Sequence, residues 1–334
     1  MSKTRFEKFA SRVLNASKVV CEPVGSGRGY WAGAPGIFQD RASGATYLAY
    51  RIRRPRGVLP DRGAELRLAR SSDGMRFETV RTLLKDDFAS SSIERCALRL
   101  GVDGSWRLFL SYVDPADGRW CVGALDAPSI ERLEPAQVRS LFKASDLGVE
   151  GVKDPWILEQ GSTFYMFLSV ATATASTTAQ SHATQDIYNT GQCICATALA
   201  TSTDLDRWEW QGIIFAPEGG TASWDGYCRR INSVVPCAGK FLAFYDGAQS
   251  HGENYEERTG FAISDDLKNW KTLTSEGPAL TSPHASRSLR YVDAQKSGAH
   301  VRLYYELARR DGAHDLCMSE VGAIMLEDVL SGDG

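Results

Sequence analysis

Short apolar-aromatic runs, each bounded by glycine, serine or aspartate, recur along almost the whole chain in the manner of many short strands joined by tight turns. Only the first segment differs. Thr4 to Asn15 carries Phe6, Phe9, Val13 and Leu14 at roughly helical spacing, which predicts a short N-terminal helix packed on the outside. Three later segments repeat one another: LARSSDGMRFE with Asp73, LATSTDLDRWEW with Asp204 and FAISDDLKNWKT with Asp266. Each reads as a strand, a Ser-x-Asp turn and an aromatic residue four positions after the aspartate, namely Phe77, Trp208 and Trp270. Their spacing gives a period of about 64 residues, which fits five units into the chain. A second strand type recurs in step, in runs that reach Tyr50, Tyr112, Ser169, Tyr245 and Tyr305. A third precedes each of these, in GYWAGAPGIF, SIERCALRL, VKDPWILEQ, YCRRINSVVP and SRSLRYVDA. Five copies of one strand order predict sheets arranged radially: an all-β fold, a five-bladed β-propeller with a short N-terminal helix. A two-sheet sandwich does not produce five such copies. The expected division is residues 1–27 as helix and lead-in and residues 28–330 as one propeller domain.

Composition agrees with this reading and narrows the partners. The 334 residues include 31 Gly, 8 Trp, 12 Tyr and 13 Phe, which suits strands and turns. Length alone would allow two domains, but the repeat period favours one. With 38 Lys+Arg against 41 Asp+Glu the formal charge is −3, which argues against a nucleic-acid groove or an anionic-membrane binder. No run of about 18 apolar residues exists and the first residues do not read as a secretory leader, so a cytoplasmic protein is expected. The eight cysteines show no CxxC pair; they are expected to be reduced, mostly buried small hydrophobes, without the ligand spacing of a zinc site.

In a propeller the first strand of each blade lines the axis, and its starting end faces one pocket. Those starts read Trp31, then Glu94 and Arg95, then Lys153 and Asp154, then Arg229 and Arg230, then Arg287 and Arg290. Strands packed against their neighbours should be apolar, so charges on four of the starts ask for a reason.

The five repeats, the Lys153-Asp154-Pro155 tripeptide, the Glu94-Arg95 pair and the SxDxxxW motifs together resemble the five-bladed glycoside hydrolases of families 43, 32, 68, 117 and 130, over about residues 28 to 325. The resemblance implies an enzyme with acidic residues on successive inner strands: a base or nucleophile, a carboxylate that orients the sugar and tunes the acid, and a general acid. Asp154 falls on the tuning position of arabinanase-like members, and Glu94 on a second-blade acidic position like that of invertase-like ones. The pattern is incomplete. Gly33-Ala34-Pro35 stands where an aspartate usually precedes the proline, and Arg229 and Arg230, just after Asp225, stand where the fourth-blade acid is expected.

Glycosidic cleavage needs a protonated acid at the leaving oxygen and a carboxylate acting on the anomeric carbon or its attacking water. The catalytic candidates are Glu94, Asp154, Asp225, Glu306 and Glu257. Asp246 stands with them, since it and Glu306 hold equivalent places just after a second-strand aromatic. His251 and His314 offer an imidazolium as proton donor, as in the agarolytic branch of the resemblance. Arg95, Arg229, Arg230, Arg258 and Arg290 either pair with those carboxylates or hold a charged substrate. Trp31 and Trp156 are placed to stack on a sugar face. Two long loops, 171–192 and 247–260, frame the mouth.

The expected function is an exo-acting glycoside hydrolase that removes one terminal sugar, a furanose among the candidates, from a small carbohydrate. No organic cofactor is implied, and a central structural ion, found in some relatives, stays open. The rivals are a phosphorylase using inorganic phosphate and a non-catalytic sugar-binding propeller.

Overall fold

The computed structural model describes residues 4–217, 222–284 and 286–331. Helix α1 (Arg5–Asn15) starts from a capping box: the Thr4 hydroxyl accepts from the Glu7 amide and the Glu7 carboxylate from the Thr4 amide. Phe6 and Phe9 on this helix pack on Phe261, with ring centroids 5.9 and 5.5 Å apart. The helix thus covers the outside of the sheets, as its spacing predicted.

The described strands fall into antiparallel sets of four. The first is β2 (Trp31–Gln39), β3 (Thr46–Arg54), β4 (Arg62–Ser71) and β5 (Glu78–Leu84), preceded in sequence by β1 (Lys18–Cys21). The second is β6 (Ile93–Leu100), β7 (Trp106–Val113), β8 (Trp120–Ala127) and β9 (Arg139–Phe142). The third is β10 (Gly151–Gln160), β11 (Thr163–Ala173), β12 (Cys193–Ser202) and β13 (Glu209–Phe215). The fourth is β14 (Cys228–Cys237), β15 (Lys240–Ala248), β16 (Arg258–Ser264) and β17 (Lys271–Thr272). The last is β18 (Leu289–Ser297), β19 (His300–Ala308) and β20 (His314–Gly322), completed by β1, with Lys18 opposite Met318. Helix α2 (Ile324–Leu330) follows, with Leu326 in the same apolar cluster as Phe9. The first strands β2, β6, β10, β14 and β18 touch one another in that order, and β18 touches β2, so all of them line one axis.

The repeated Ser-x-Asp motif has one structural job in all three copies. Ser71, Ser202 and Ser264 each accept through the hydroxyl from the amide of the aspartate two residues on, and each aspartate caps two following amides. The turn aims the next aromatic at the second strand of the preceding sheet. Phe77 meets Tyr304 at 6.2 Å, Trp208 meets Phe109 at 5.6 Å and Trp270 meets Phe167 at 6.1 Å.

Every first strand is also bulged, at Gly33/Gly36, Ile93/Cys96, Lys153/Trp156, Ile231/Ser233 and Arg290/Asp293. A bulge breaks the alternation of faces and re-aims a side chain. Ala34, Asp154 and Tyr291 sit in these bulges at φ of 52°, 57° and 55°. Non-glycine residues held there gather at functional sites, which directs attention to this end of the axis. Among the described residues no helix is long and apolar enough to cross a membrane. All eight cysteines are free and seven are buried.

Candidate active site

The bulged strands and the second strands paired with them bring charges of both signs into one buried chain. Arg51 on β3 donates from Nη1 to Glu94 Oε2 at 2.5 Å and from Nη2 to Glu306 Oε2 at 2.8 Å. Arg290 holds the other Glu306 oxygen from Nε at 3.0 Å and Nη2 at 2.7 Å, and donates from Nη1 to Glu257 Oε2 at 2.7 Å. Arg230 closes on Glu257 Oε1. The order Glu94, Arg51, Glu306, Arg290, Glu257, Arg230 alternates in sign, so each charge is neutralised where it is desolvated.

Two of these acids are locked. Glu306 also accepts from the Ala34 amide at 2.9 Å and makes a 2.9 Å hydrogen bond with His314 Nδ1. Burial pushes its carboxyl up, but Arg290, Arg51 and His314 outweigh burial and hold it well below the usual carboxylate range. The same contest, with Arg230 and Arg290 prevailing over burial, brings Glu257 down to about 2. Glu306 reaches across to the first strand because Gly33 leaves the space: a Cβ there would lie 2.1 Å from Glu306 Cγ. A carboxylate therefore stands at the first-strand position where the sequence has no aspartate.

Glu94, the third acid of the chain, and Asp154 each keep an oxygen without a partner among the described residues. Glu94 is bound through Oε2 alone. Asp154, turned inward by its bulge, receives the Tyr291 hydroxyl at 3.4 Å and lies 3.6 Å from Lys153 Nζ, both at Oδ2, while its buried Oδ1 has no partner among the described residues. Beside it Tyr291 packs its ring among the guanidinium groups of Arg290 at 5.1 Å, Arg51 at 5.8 Å, and Arg95 and Arg230 at 5.9 Å. Burial drives the Tyr291 phenol far above its ordinary value, with Asp154 and Glu94 adding to it. Among the described residues, buried polar atoms without a partner occur here at Trp31 Nε1, Arg51 Nε, Asp154 Oδ1, Arg230 Nε and Asn232 Nδ2. Each buried group without a partner calls for an explanation, a catalytic role among them.

Asp246 faces Arg230 across the β14–β15 pair and accepts from the Tyr291 amide at 3.1 Å. Burial pushes its carboxyl up to about 7, opposed by Arg230 and aided by Glu257. Arg95 is tied to the Pro35 carbonyl at 2.8 Å and to Asn232 Oδ1 at 3.2 Å, with Asp293 3.6 Å away. His314 bridges Glu306 and Glu256, its Nε2 lying 3.0 Å from Glu256 Oε2, and stacks on Trp31 at 4.9 Å. Trp31 is further packed by Arg53 at 4.3 Å and Arg290 at 4.6 Å, so its ring serves the charged chain.

The loop from 174 to 192 crosses this mouth. Asp186 accepts from Trp120 Nε1 at 3.1 Å and from the Tyr255 hydroxyl, with Arg56 3.5 Å away. The Tyr188 carbonyl accepts from Asn254 at 2.8 Å and Tyr227 at 2.8 Å. The two loops that frame the mouth are thus fastened to each other.

Several expected residues lie elsewhere. Asp225 pairs with Arg229 at 2.8 Å and with the Tyr245 hydroxyl at 2.9 Å, inside the fourth sheet's own packing. Adjacent strand residues point to opposite faces, so Arg230 at the axis sends Arg229 away from it. Trp156 packs on Phe167 at 5.9 Å in an apolar cluster. His251 is exposed on the rim and Arg258 pairs with Glu253. Sequence reasoning passed over Arg51, Arg53, Tyr291 and Asp186. The signal for the first two was present: arginines two apart in a strand otherwise buried share one face. No cluster of three or more His, Cys, Asp or Glu side chains among the described residues is arranged to hold a metal ion.

No protein-family model matches the sequence, and neither does any curated protein. Solved structures do. A structure titled "Glycoside hydrolase" superposes with a TM-score of 0.64 at 13% identity, covering 96% of this chain and 95% of that one. The β-1,2-mannobiose phosphorylase from Listeria innocua gives 0.61 at 14%, covering 94% and 93%. The endo-arabinase from Bacteroides thetaiotaomicron gives 0.57 at 12%, covering 91% and 97%. At such identities the likeness is one of fold: the chain is folded as these three proteins are, which is the level at which the resemblance read from the sequence holds.

Proposed function

We propose that the chain is a five-bladed β-propeller glycoside hydrolase that takes the terminal sugar of a small carbohydrate into the axial mouth and cleaves it by carboxylate acid/base catalysis, with Glu94 and Asp154 as the reacting pair. One observation carries this reading. Glu306 and Glu257 have both oxygens engaged by arginine, whereas Glu94 Oε1 and Asp154 Oδ1 accept nothing from the described residues. An acid that must give or take a proton needs a free oxygen. Glu306 and Glu257 then act as fixed anions that position Arg51, Arg290 and Arg230 around Tyr291. The two loops joined to each other support an exo mode, because a site bounded by fastened loops admits a chain end more readily than a chain middle. Free, buried cysteines fit a reducing cytoplasmic setting.

The test is turnover of a panel of aryl glycosides, furanosides included. Glu94→Gln and Asp154→Asn should each lower kcat by roughly 10²–10⁴, with the folded state intact by circular dichroism. Retention of turnover within tenfold by both would overturn the assignment. A phosphorylase reading is favoured by one feature, Arg53, which has no carboxylate within 4.0 Å among the described residues; cleavage that requires phosphate and yields a sugar phosphate would establish it over hydrolysis.

A further inference from the structure

Arg53 differs from every other guanidinium around the mouth. It lies on β3 opposite Trp31, two residues from Arg51 and on the same face. Arg51, Arg230 and Arg290 each have carboxylate partners within 2.8 Å. Arg53 has none: among the described residues no carboxylate lies within 4.0 Å of it, and its neighbours are the rings of Trp31 at 4.3 Å and Tyr255 at 5.2 Å. It is nonetheless only 7% exposed. The charged groups that act on it from further off are Arg51, of the same sign, and Glu94 and Asp186. A largely buried cation packed between aromatic faces is costly to a fold, because no counter-ion repays its desolvation. A ligand that brings an anion would supply the missing half of the pair.

We propose that Arg53 is the receptor for an anionic oxyacid group, a carboxylate or phosphate, on or beside the sugar that enters the mouth. The proposal rests on the glycosidase reading for the position of that sugar, next to Glu94. Its geometry fits two sources. A carboxylate carried by the sugar itself, as in a uronic acid, would be gripped by the planar guanidinium through two parallel hydrogen bonds. Free inorganic phosphate would sit in the same place as the attacking group. The Trp31 and Tyr255 rings limit the directions from which the anion can approach and hold the guanidinium plane in place.

Calorimetric titration at constant ionic strength separates these cases, with galacturonate and glucuronate set against galactose and glucose, and inorganic phosphate alone as a third arm. The wild-type protein should bind at least one anion at least tenfold more tightly than the matching neutral sugar or than chloride-matched buffer. Arg53→Gln should lose that preference, Arg53→Lys should retain part of it, and the surface variant Arg302→Gln should behave as wild type. A uronate preference places the charge on the sugar, and a phosphate preference makes it the attacking group. Without ligand, Arg53→Gln should melt higher than wild type, since it removes an unpaired buried charge. Equal binding of charged and neutral sugars with no phosphate binding, anion binding by Arg53→Gln equal to wild type, or a lowered melting point of unliganded Arg53→Gln would each overturn the proposal. Failure of the two readings is distinguishable. Anion binding with turnover surviving in Glu94→Gln and Asp154→Asn sinks the glycosidase reading alone, whereas loss of turnover in both without any anion preference sinks this one alone.

Discussion

Replacing Gly33 by alanine tests whether the charged chain is as rigid as its geometry implies. Gly33 is not at positive φ, so alanine adds no backbone strain there. The whole cost comes from contact: the new Cβ would lie 2.1 Å from Glu306 Cγ and 2.2 Å from Oε2. Carbon atoms rest about 3.5–4.0 Å apart, so Glu306 must retreat by more than ~1 Å. It cannot do so while keeping Arg51 at 2.8 Å and the Ala34 amide at 2.9 Å. A hydrogen bond to a charged group contributes about 1.5–3 kcal/mol, and breaking a buried ion pair costs about 3–5 kcal/mol. Gly33→Ala should therefore destabilise by about 3–5 kcal/mol. With an unfolding entropy of about 2.1 cal/mol/K per residue, that lowers Tm by roughly 4–7 °C for 334 residues. The decisive assay is a double-mutant cycle by urea unfolding at constant m-value. Glu306→Ala is itself costly, but Gly33→Ala added to it should cost less than about 1 kcal/mol, because the methyl enters vacated space. A small cost in the wild-type background, or the same cost in both backgrounds, would refute the reasoning.

The remaining expectations concern protons and the covering loop. Asp246, at about 7 in the folded protein against 3.8, keeps a proton between those values that the unfolded chain has released. Stability should fall as pH rises through that window and level off above it; Asp246→Asn should flatten the fall and be more stable than wild type at pH 8 by roughly 2–4 kcal/mol. An unchanged slope in chemical denaturation between pH 4 and 7 would contradict this. Glu257, at about 2 against 4.5, has the opposite sign: its contribution is complete above pH 4.5 and is lost as pH falls toward 2, so Glu257→Gln should remove that part of the acid limb. Asp186→Asn and Tyr255→Phe unfasten the two loops, and hydrogen exchange at amides 182–190 should speed up in both. Unaltered exchange would deny the Asp186–Tyr255 contact its holding role.

The sheets were legible because their signals are local. A Ser-x-Asp turn followed by an aromatic needs only six or so consecutive residues to form, and its three copies marked the period directly. The site was partly legible for the same reason: Glu94, Asp154, Glu257, Arg230, Arg290 and Glu306 sit at strand starts and ends where charge is out of place, and the structure does bring them together. What failed was parity. Arg229 lies beside Arg230 in sequence but on the other face of its strand, where it pairs with Asp225 from the preceding turn, and the bulges shift which face a residue takes by one position. Arg51 and Arg53 were hidden in a second strand, where position relative to the axis depends on register with β2. Tyr291 looked like one more packing aromatic, since nothing in its neighbours foretells a left-handed residue turned inward.

The last sheet has a consequence for how the chain is made. Its fourth strand, β1, is synthesised ahead of the other described strands, and its partner β20 roughly 300 residues later. At about 5–20 residues per second, β1 waits for roughly 15–60 s with no sheet to join. During that time the polymer leaving the ribosome is an open arc whose two ends both expose unpaired backbone, a state prone to sticking to its own kind. Lys18 at the start of β1 and the charged, capped helix before it give the waiting end a polar character. Closure of the last sheet therefore has to wait for β20, and the axial charges on the earlier strands meet Arg290 and Glu306 only late in the synthesis of these sheets.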